Sequence, residues 1–358
     1  MAYQLNEKLK NMVPYEPISG NYAIRLDANE SFLPLDREIQ AELAKKLTEI
    51  PFNRYPDPLA EEVCRQFADY YGISADYVTA GNGSDELISV IVGTFLSKGD
   101  KLLTVMPDFS MYGFYADLAG VTVITQEKNE DLNIDVDALI KTVKREKADC
   151  IMFSNPCNPT GQGLSREEVR RLVTSVDCLV VLDEAYMDFY TESLMGEAEQ
   201  YDNLIILRTC SKALGLAAVR LGFAVANQTL TAVIRAAKSP YNVNSITQVY
   251  GSVVLSHKDK EQEALQEILA SREELYAALV SLQEKYRCFD RIYPTVTNFV
   301  LVETSHAKEW FDALKERSIV VRLMGNRLRI TAGSSDENKA VSGVMKVKVT
   351  VGYGESTV

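Results

Sequence analysis

Cys178-Leu-Val-Val-Leu-Asp-Glu-Ala-Tyr186 is an apolar run that closes on a carboxylate. Read as a strand, it puts Asp183 at its carboxyl end, the edge where ligands bind in open α/β sheets. Similar runs are Lys101-Leu-Leu-Thr-Val105, Val121-Thr-Val-Ile-Thr125, Cys150-Ile-Met-Phe-Ser154, Asn203-Leu-Ile-Ile-Leu207 and Leu221-Gly-Phe-Ala-Val225. Their near-continuous hydrophobicity suits strands buried on both faces. Helical stretches at 110–118, 135–145 and 165–175 separate several of them. The alternation predicts an α/β fold with a mostly parallel (mixed) central sheet flanked by helices.

After Asn244 the character changes. Residues 258–286 form a long charged stretch rich in Glu, Leu and Ala, which reads as a helix leading between domains. Shorter strand candidates follow at 298–302, 319–322 and 327–331, with a helix near 307–317. The expected division is an N-terminal segment over 1–35 packing on the small domain, a large domain over 36–245, and a small α+β domain over 246–358. Beyond Val341 the alternating Val and Lys of Val344-Met-Lys-Val-Lys-Val-Thr-Val351 suit a strand better than a closing helix.

The chain has 358 residues, 46% hydrophobic and 25% charged, a length that favours two lobes over one core. Its net charge of -12 disfavours nucleic acid and anionic membranes as partners. The six cysteines form no C-x-x-C pair, and the two histidines, His257 and His306, read as surface residues, so no metal site is expected. The opening Met-Ala-Tyr-Gln-Leu-Asn-Glu-Lys lacks the apolar core of a secretion signal, and no apolar stretch is long enough to span a membrane. A cytoplasmic protein is expected.

Asp183 gains meaning from its neighbours in the chain. A carboxylate at a buried edge is costly without a partner, and a protonated pyridine nitrogen is a good one. Lys212 follows the run at 203–207 among small residues; a dry pocket with nearby cations would lower its pKa and free its amine. Arg220 carries a guanidinium fork suited to phosphate, and Thr209 and Ser211 add hydroxyls. Tyr186 and Asn158 can offer a hydroxyl and an amide to a phenolic oxygen. An amine, a carboxylate and a phosphate-binding cation are what pyridoxal 5'-phosphate requires. Ala80-Gly-Asn-Gly-Ser-Asp-Glu-Leu-Ile88 adds a Gly-rich turn into an apolar helix, with Ser84 or Asp85 expected as the cap and free N–H groups able to hold an anion. It has neither the Walker element nor the dinucleotide-binding glycine spacing.

With these motifs the chain resembles the fold-type I pyridoxal-phosphate enzymes, and within them the class I/II aminotransferases similar to histidinol-phosphate aminotransferase. Leu26-Asp-Ala-Asn-Glu30, Arg54-Tyr-Pro-Asp-Pro58, Pro107-Asp-Phe-Ser-Met-Tyr112, Asn155–Gly161 and Arg327-Leu-Arg-Ile-Thr331 extend the resemblance over nearly the whole chain. The resemblance implies that Lys212 bonds the cofactor and shuttles a proton, that Asp183 pairs with the pyridine nitrogen, and that Tyr186 and Asn158 hold the ring's hydroxyl oxygen. Gly83, Ser84, Asp85, Thr209, Ser211 and Arg220 would surround the phosphate. Tyr55 would reach the neighbouring subunit's cofactor in a homodimer. Phe109, with Tyr112 as runner-up, would stack on the ring. Arg329 and Arg322 would grip the substrate's anionic groups, with Arg329 pointing in and Arg327 away. Asn155-Pro156 and Asn158-Pro159 are the places for cis bonds.

The activity so implied is transamination between a small amino donor and a keto acid, ping-pong through pyridoxamine phosphate. The leading substrates are histidinol phosphate and 2-oxoglutarate, which would place the enzyme in histidine biosynthesis. Threonine-O-phosphate decarboxylase and aromatic amino acid aminotransferase are the alternatives. A non-catalytic pyridoxal-phosphate protein is disfavoured, because Lys212 and Asp183 are both present and no basic module is.

Overall fold

The computed structural model describes residues 3–5, 10, 12 and 18–352. The rest of the expected N-terminal segment and the tail from 353 lie outside the described residues. The first strand, β1 (Ile24–Leu26), joins a smaller sheet; the larger takes β2 (Val78–Gly81), β3 (Lys101–Met106), β4 (Thr122–Glu127), β5 (Cys150–Ser154), β6 (Leu179–Asp183), β7 (Leu204–Thr209) and β8 (Gly222–Ala226). Its spatial order is β2-β8-β7-β6-β5-β3-β4, and β8 alone runs against its neighbours. The fold is thus an α/β layer structure on a mixed, mainly parallel sheet.

Period-two alternation sorts the buried strands onto two cores. Ile151, Phe153, Val180 and Leu182 face one side, toward α1 (Arg37–Thr48) and α2 (Glu61–Tyr71). Cys150, Met152, Val181 and Ile205 face the other, toward α3 (Gly83–Phe95) and α4 (Met111–Ala119). Helices α5 (Val136–Glu146) and α6 (Arg166–Ser175) cover the first face, and α7 (Gln228–Ala237) the second. Helix α8 (Ser245–Ser256) also belongs here: Val253, Val254 and Leu255 stand in the first core. We therefore set the lobe boundary after α8, at His257, instead of at residue 245.

Helix α9 (Lys258–Tyr286) then runs 29 residues, about 44 Å at the usual rise. Its Leu275, Leu279 and Leu282 enter the core of the smaller lobe. That lobe holds β9 (Arg291–Ile292), β10 (Phe299–Glu303), β11 (Ile319–Met324) and β12 (Arg327–Thr331), in the order β1-β11-β12-β10-β9. Helices α10 (Ala307–Glu316) and α11 (Ser335–Gly352) back it.

Helix α11 corrects the strand reading of the tail. Ser334 and Glu337 form reciprocal bonds at its start: the Glu337 N–H donates to Ser334 Oγ at 3.3 Å, and the Ser334 N–H to Glu337 Oε2 at 2.7 Å. Val341 and Met345, one turn apart, are buried against α9 and α10. Each valine costs a helix only about half a kcal/mol, less than the burial of those two side chains returns.

Candidate active site

Asp183 ends β6 beside Ser154 and Leu207 on the neighbouring strands. It is buried, with Oδ2 accepting from the Tyr112 hydroxyl at 2.8 Å and Oδ1 from the Ala185 N–H at 3.1 Å. Burial pushes its carboxyl up to about 6, against the pull of those two donors. Glu184, next in the chain, turns the other way and pairs with Arg208 at 3.2 Å. Tyr112 is fully buried and edge-on to half-buried Phe109, 5.5 Å between centroids. Tyr112 therefore supports Asp183 instead of standing ready as a ring platform, a contact the sequence reading missed.

Lys212 leaves the end of β7 and donates from Nζ to the Ala28 carbonyl at 2.9 Å. Burial pulls its amine down to about 8, helped by Arg329 and Arg220 and opposed by Glu30 and Asp183. The Tyr186 ring centroid is 5.9 Å from Nζ. Tyr186 is buried, burial raises its phenol to about 12, and its oxygen accepts from Asn29 Nδ2 at 2.8 Å. Asn29 gains this role from a contact 157 residues away that no local sequence pattern marks. It is buried at φ 55°, and its Oδ1 accepts from the Thr331 hydroxyl at 3.1 Å, so it ties the N-terminal segment to both lobes.

The anion-binding elements converge as well. The cap of α3 is Asn82, not Ser84 or Asp85, and no side-chain oxygen caps the helix. Asn82 is held elsewhere: its N–H donates to Glu86 Oε2 at 2.7 Å and its amide to the Asn242 carbonyl. Gly83, Ser84 and Asp85 thus bring first-turn N–H groups with no capping side chain. Arg220 stands opposite; a Cβ on Gly83, at φ +76°, would lie 3.0 Å from its Nη2. Arg220 Nη1 reaches Ser211 Oγ at 3.5 Å, and Thr209 Oγ1 bonds Ser211 Oγ at 3.1 Å. Asp85 keeps one buried oxygen without a partner, and burial raises its carboxyl.

Asn158 and Arg329 join the lobes. Arg329 Nη1 donates to Asn158 Oδ1, and its Nη2 to the Asp27 carbonyl at 2.5 Å. With Oδ1 engaged, Asn158 has its amide nitrogen to offer. Arg322 sits directly across from Arg329 in the antiparallel β11–β12 register, so both guanidinium groups share a face. The expected split between Arg329 and Arg327 does not hold as stated. Residues two apart on a strand point the same way; Arg327 differs because Glu303, its cross-strand neighbour, takes it at 3.0 Å. Tyr55 is not brought to the cluster: it is exposed and stacks on Tyr241, 4.6 Å between centroids. The Asn155–Pro156 and Asn158–Pro159 bonds are cis, as is Met106–Pro107.

A lowered amine, a buried carboxylate without a cation, and an uncapped helix start facing an arginine fit pyridoxal 5'-phosphate. Lys212 would bond its aldehyde, Asp183 would take its ring nitrogen, and the α3 turn with Arg220 would take its phosphate.

Residues 22–342 match the family described as aminotransferase class I and II. The chain is 42% identical to the histidinol-phosphate aminotransferase of Clostridium kluyveri, over 94% of this chain and 95% of that one. It is 40% identical to that of Clostridium novyi, with the same two coverages. The histidinol-phosphate aminotransferase of Sinorhizobium meliloti, solved with pyridoxal 5'-phosphate, superposes with a TM-score of 0.85 over 97% of this chain and 99% of that one. At 21% identity this last likeness carries the fold alone.

Proposed function

The chain belongs to the class I and II aminotransferases, enzymes that depend on pyridoxal 5'-phosphate, and from that membership we propose that it moves the amino group of histidinol phosphate to 2-oxoglutarate in two ping-pong half-reactions. The observation that carries the substrate is the identity with histidinol-phosphate aminotransferases along nearly the full length of both chains. The facing Arg322 and Arg329 support that assignment, because two like charges on one face favour a dianionic phosphate between them.

When bound, the cofactor supplies an electron sink for the pair left at the donor's α-carbon. The side chains divide the remaining work. Lys212 Nζ, neutral in part near pH 8, takes the α-proton and would deliver it to the cofactor's aldehyde carbon, and the reverse transfer would serve the acceptor. Asp183, held ionised by the Tyr112 and Ala185 donors, keeps a positive charge on the ring nitrogen. The Tyr186 hydroxyl stays protonated and donates, while Asn29 fixes its direction. Asn158, fixed by Arg329 through its Oδ1, would offer its amide to the cofactor's ring hydroxyl oxygen, as Tyr186 would its hydroxyl. Tyr55 reaches a second subunit in a cytoplasmic homodimer, and its exposure in a single chain supports that reading.

Mixing the holoenzyme with histidinol phosphate and no acceptor should change the cofactor's absorbance within one turnover, and 2-oxoglutarate should restore it. No spectral change with this donor would remove the assignment. Carbon dioxide released from threonine O-phosphate would replace it.

A further inference from the structure

A cavity of about 210 Å³ lies behind the Lys212 loop. Its walls come from the segment after Asn29, from residues 213–215, and from the first turns of α9. Leu33, Leu35, Leu214 and Ala264 give it apolar surface. Asp36, Glu261, Glu263 and Glu267 also line it, with Lys260 as their counter-charge. Lys260, however, lies 3.9 Å from Asp36 and 4.0 Å from Glu38.

Glu261 is the unusual member. It is only 6% exposed, and its carboxyl group makes no hydrogen bond among the described residues. Asp36, Tyr70 of α2 and Cys210 after β7 are the titratable groups that interact with it, and the cations nearby, Lys260 in the cavity wall, Lys258 over the Tyr70 ring and Arg208, make no ion pair with it among the described residues. A carboxylate so little exposed is costly without a charged donor, even where its oxygens reach the cavity's edge. Cavities of about 150 Å³ accept a benzene-sized molecule, so a one-ring compound fits here.

We propose that this cavity binds a small organic ammonium ion, with the Glu261 carboxylate as counter-ion and Leu33, Leu214 and Ala264 packing on its carbon skeleton. The ammonium supplies the missing donor, and the excess of carboxylates over lysine in the walls selects a cation over an anion or a neutral molecule. The cavity shares the 213–215 backbone with the site but uses none of its side chains, so the proposal stands apart from the transamination reading. Burial, with Asp36 adding to it, pushes the Glu261 carboxyl up to about 7. Binding requires the ionised form, so affinity should climb from about pH 6 to about pH 8 and then level off.

The probe is N,N-dimethylbenzylamine, a tertiary amine that cannot condense with an aldehyde; benzyl alcohol is its neutral counterpart. Calorimetric titration of the holoenzyme should show saturable amine binding at pH 8. Binding should weaken about tenfold or more for benzyl alcohol and for Glu261→Gln. Ala264→Phe, which fills the cavity from a half-exposed position, should abolish it and decides the matter if the glutamine variant folds poorly. Equal binding of the alcohol, undiminished binding to either variant, or no saturable amine binding at pH 8 would overturn the proposal.

Discussion

Asp183 shows how far a single position can be read from sequence. Its placement after an apolar run marked it as a strand-end carboxylate, and Lys212 and Arg220 were legible in the same way, because local pattern fixed where they fall. Tyr112 and Asn29 were not legible as partners, since their contacts close over 71 and 157 residues. Tyr112→Phe tests the first of these. Losing a bond to a charged acceptor is worth roughly 1.5–3 kcal/mol, so kcat at neutral pH should fall about tenfold. Without the hydroxyl the Asp183 carboxyl rises further, and the acid limb of the kcat profile should move to higher pH; an unmoved limb would mean that Tyr112 only fills space. Glu261 supplies a stability test. Folded, it holds its proton to about pH 7; unfolded, only to about 4.5. Between those values the folded state binds more proton, so Glu261 lowers stability progressively as pH rises through that window. Glu261→Gln, in the absence of amine, should leave the melting temperature nearly unchanged near pH 5 and raise it at pH 8, by roughly 1–3 kcal/mol of stability. Equal melting temperatures at pH 8 would show that the carboxyl ionises without penalty.

Among the elements, the α3 start is the part of the site made by backbone, and glycine makes it possible. Gly222 of β8 lies in register with Gly81 and Thr209, and a Cβ there would stand 2.4 Å from the Ser84 nitrogen and 2.5 Å from the Gly83 carbonyl carbon. Those are backbone atoms and cannot rotate aside. Gly222→Ala should therefore displace the first turn of α3, weaken cofactor binding about tenfold or more, and cost roughly 1–3 kcal/mol of stability. Titration of apoprotein with pyridoxal 5'-phosphate and a thermal melt check both; wild-type affinity would mean that the turn is not where the phosphate sits. Element-level legibility divides by cause. The strands β3 and β5 to β8 were visible as runs buried on both faces, whereas the run at 121–125 became β4 at the sheet's edge, where no residue of the strand is buried. Strand β2 was missed because four residues ending in the Gly-rich turn give no period to read, and its pairing with β8 is a distant contact. In α11 the local β-propensity of the Val–Lys alternation lost to a cap at Ser334 and Glu337 and to burial of Val341 and Met345. Arg327 needed its cross-strand partner Glu303, which lies 24 residues away.

At the scale of the whole molecule, the site is a seam between lobes, with Arg329 of the smaller bonded to Asn158 of the larger and Asn29 bridging both. A single chain leaves one expected member outside that seam, Tyr55, which is exposed and stacked only on Tyr241. If Tyr55 completes the site of a second copy, two defective chains can repair each other. Lys212→Ala should be inactive alone, with turnover down at least about a thousandfold, and Tyr55→Ala should bind cofactor weakly. In a mixed dimer one site receives both lesions while the other has an intact Lys212 from one chain and an intact Tyr55 from its partner. Random pairing makes half the dimers mixed, so about a quarter of all sites become whole. Co-refolding equal amounts of the two variants should accordingly restore roughly a quarter of wild-type activity, measured at saturating cofactor where each variant alone has been assayed. Activity no greater than the average of the two variants would place Tyr55 outside the shared site, because a residue serving its own chain's cofactor gains nothing from a partner.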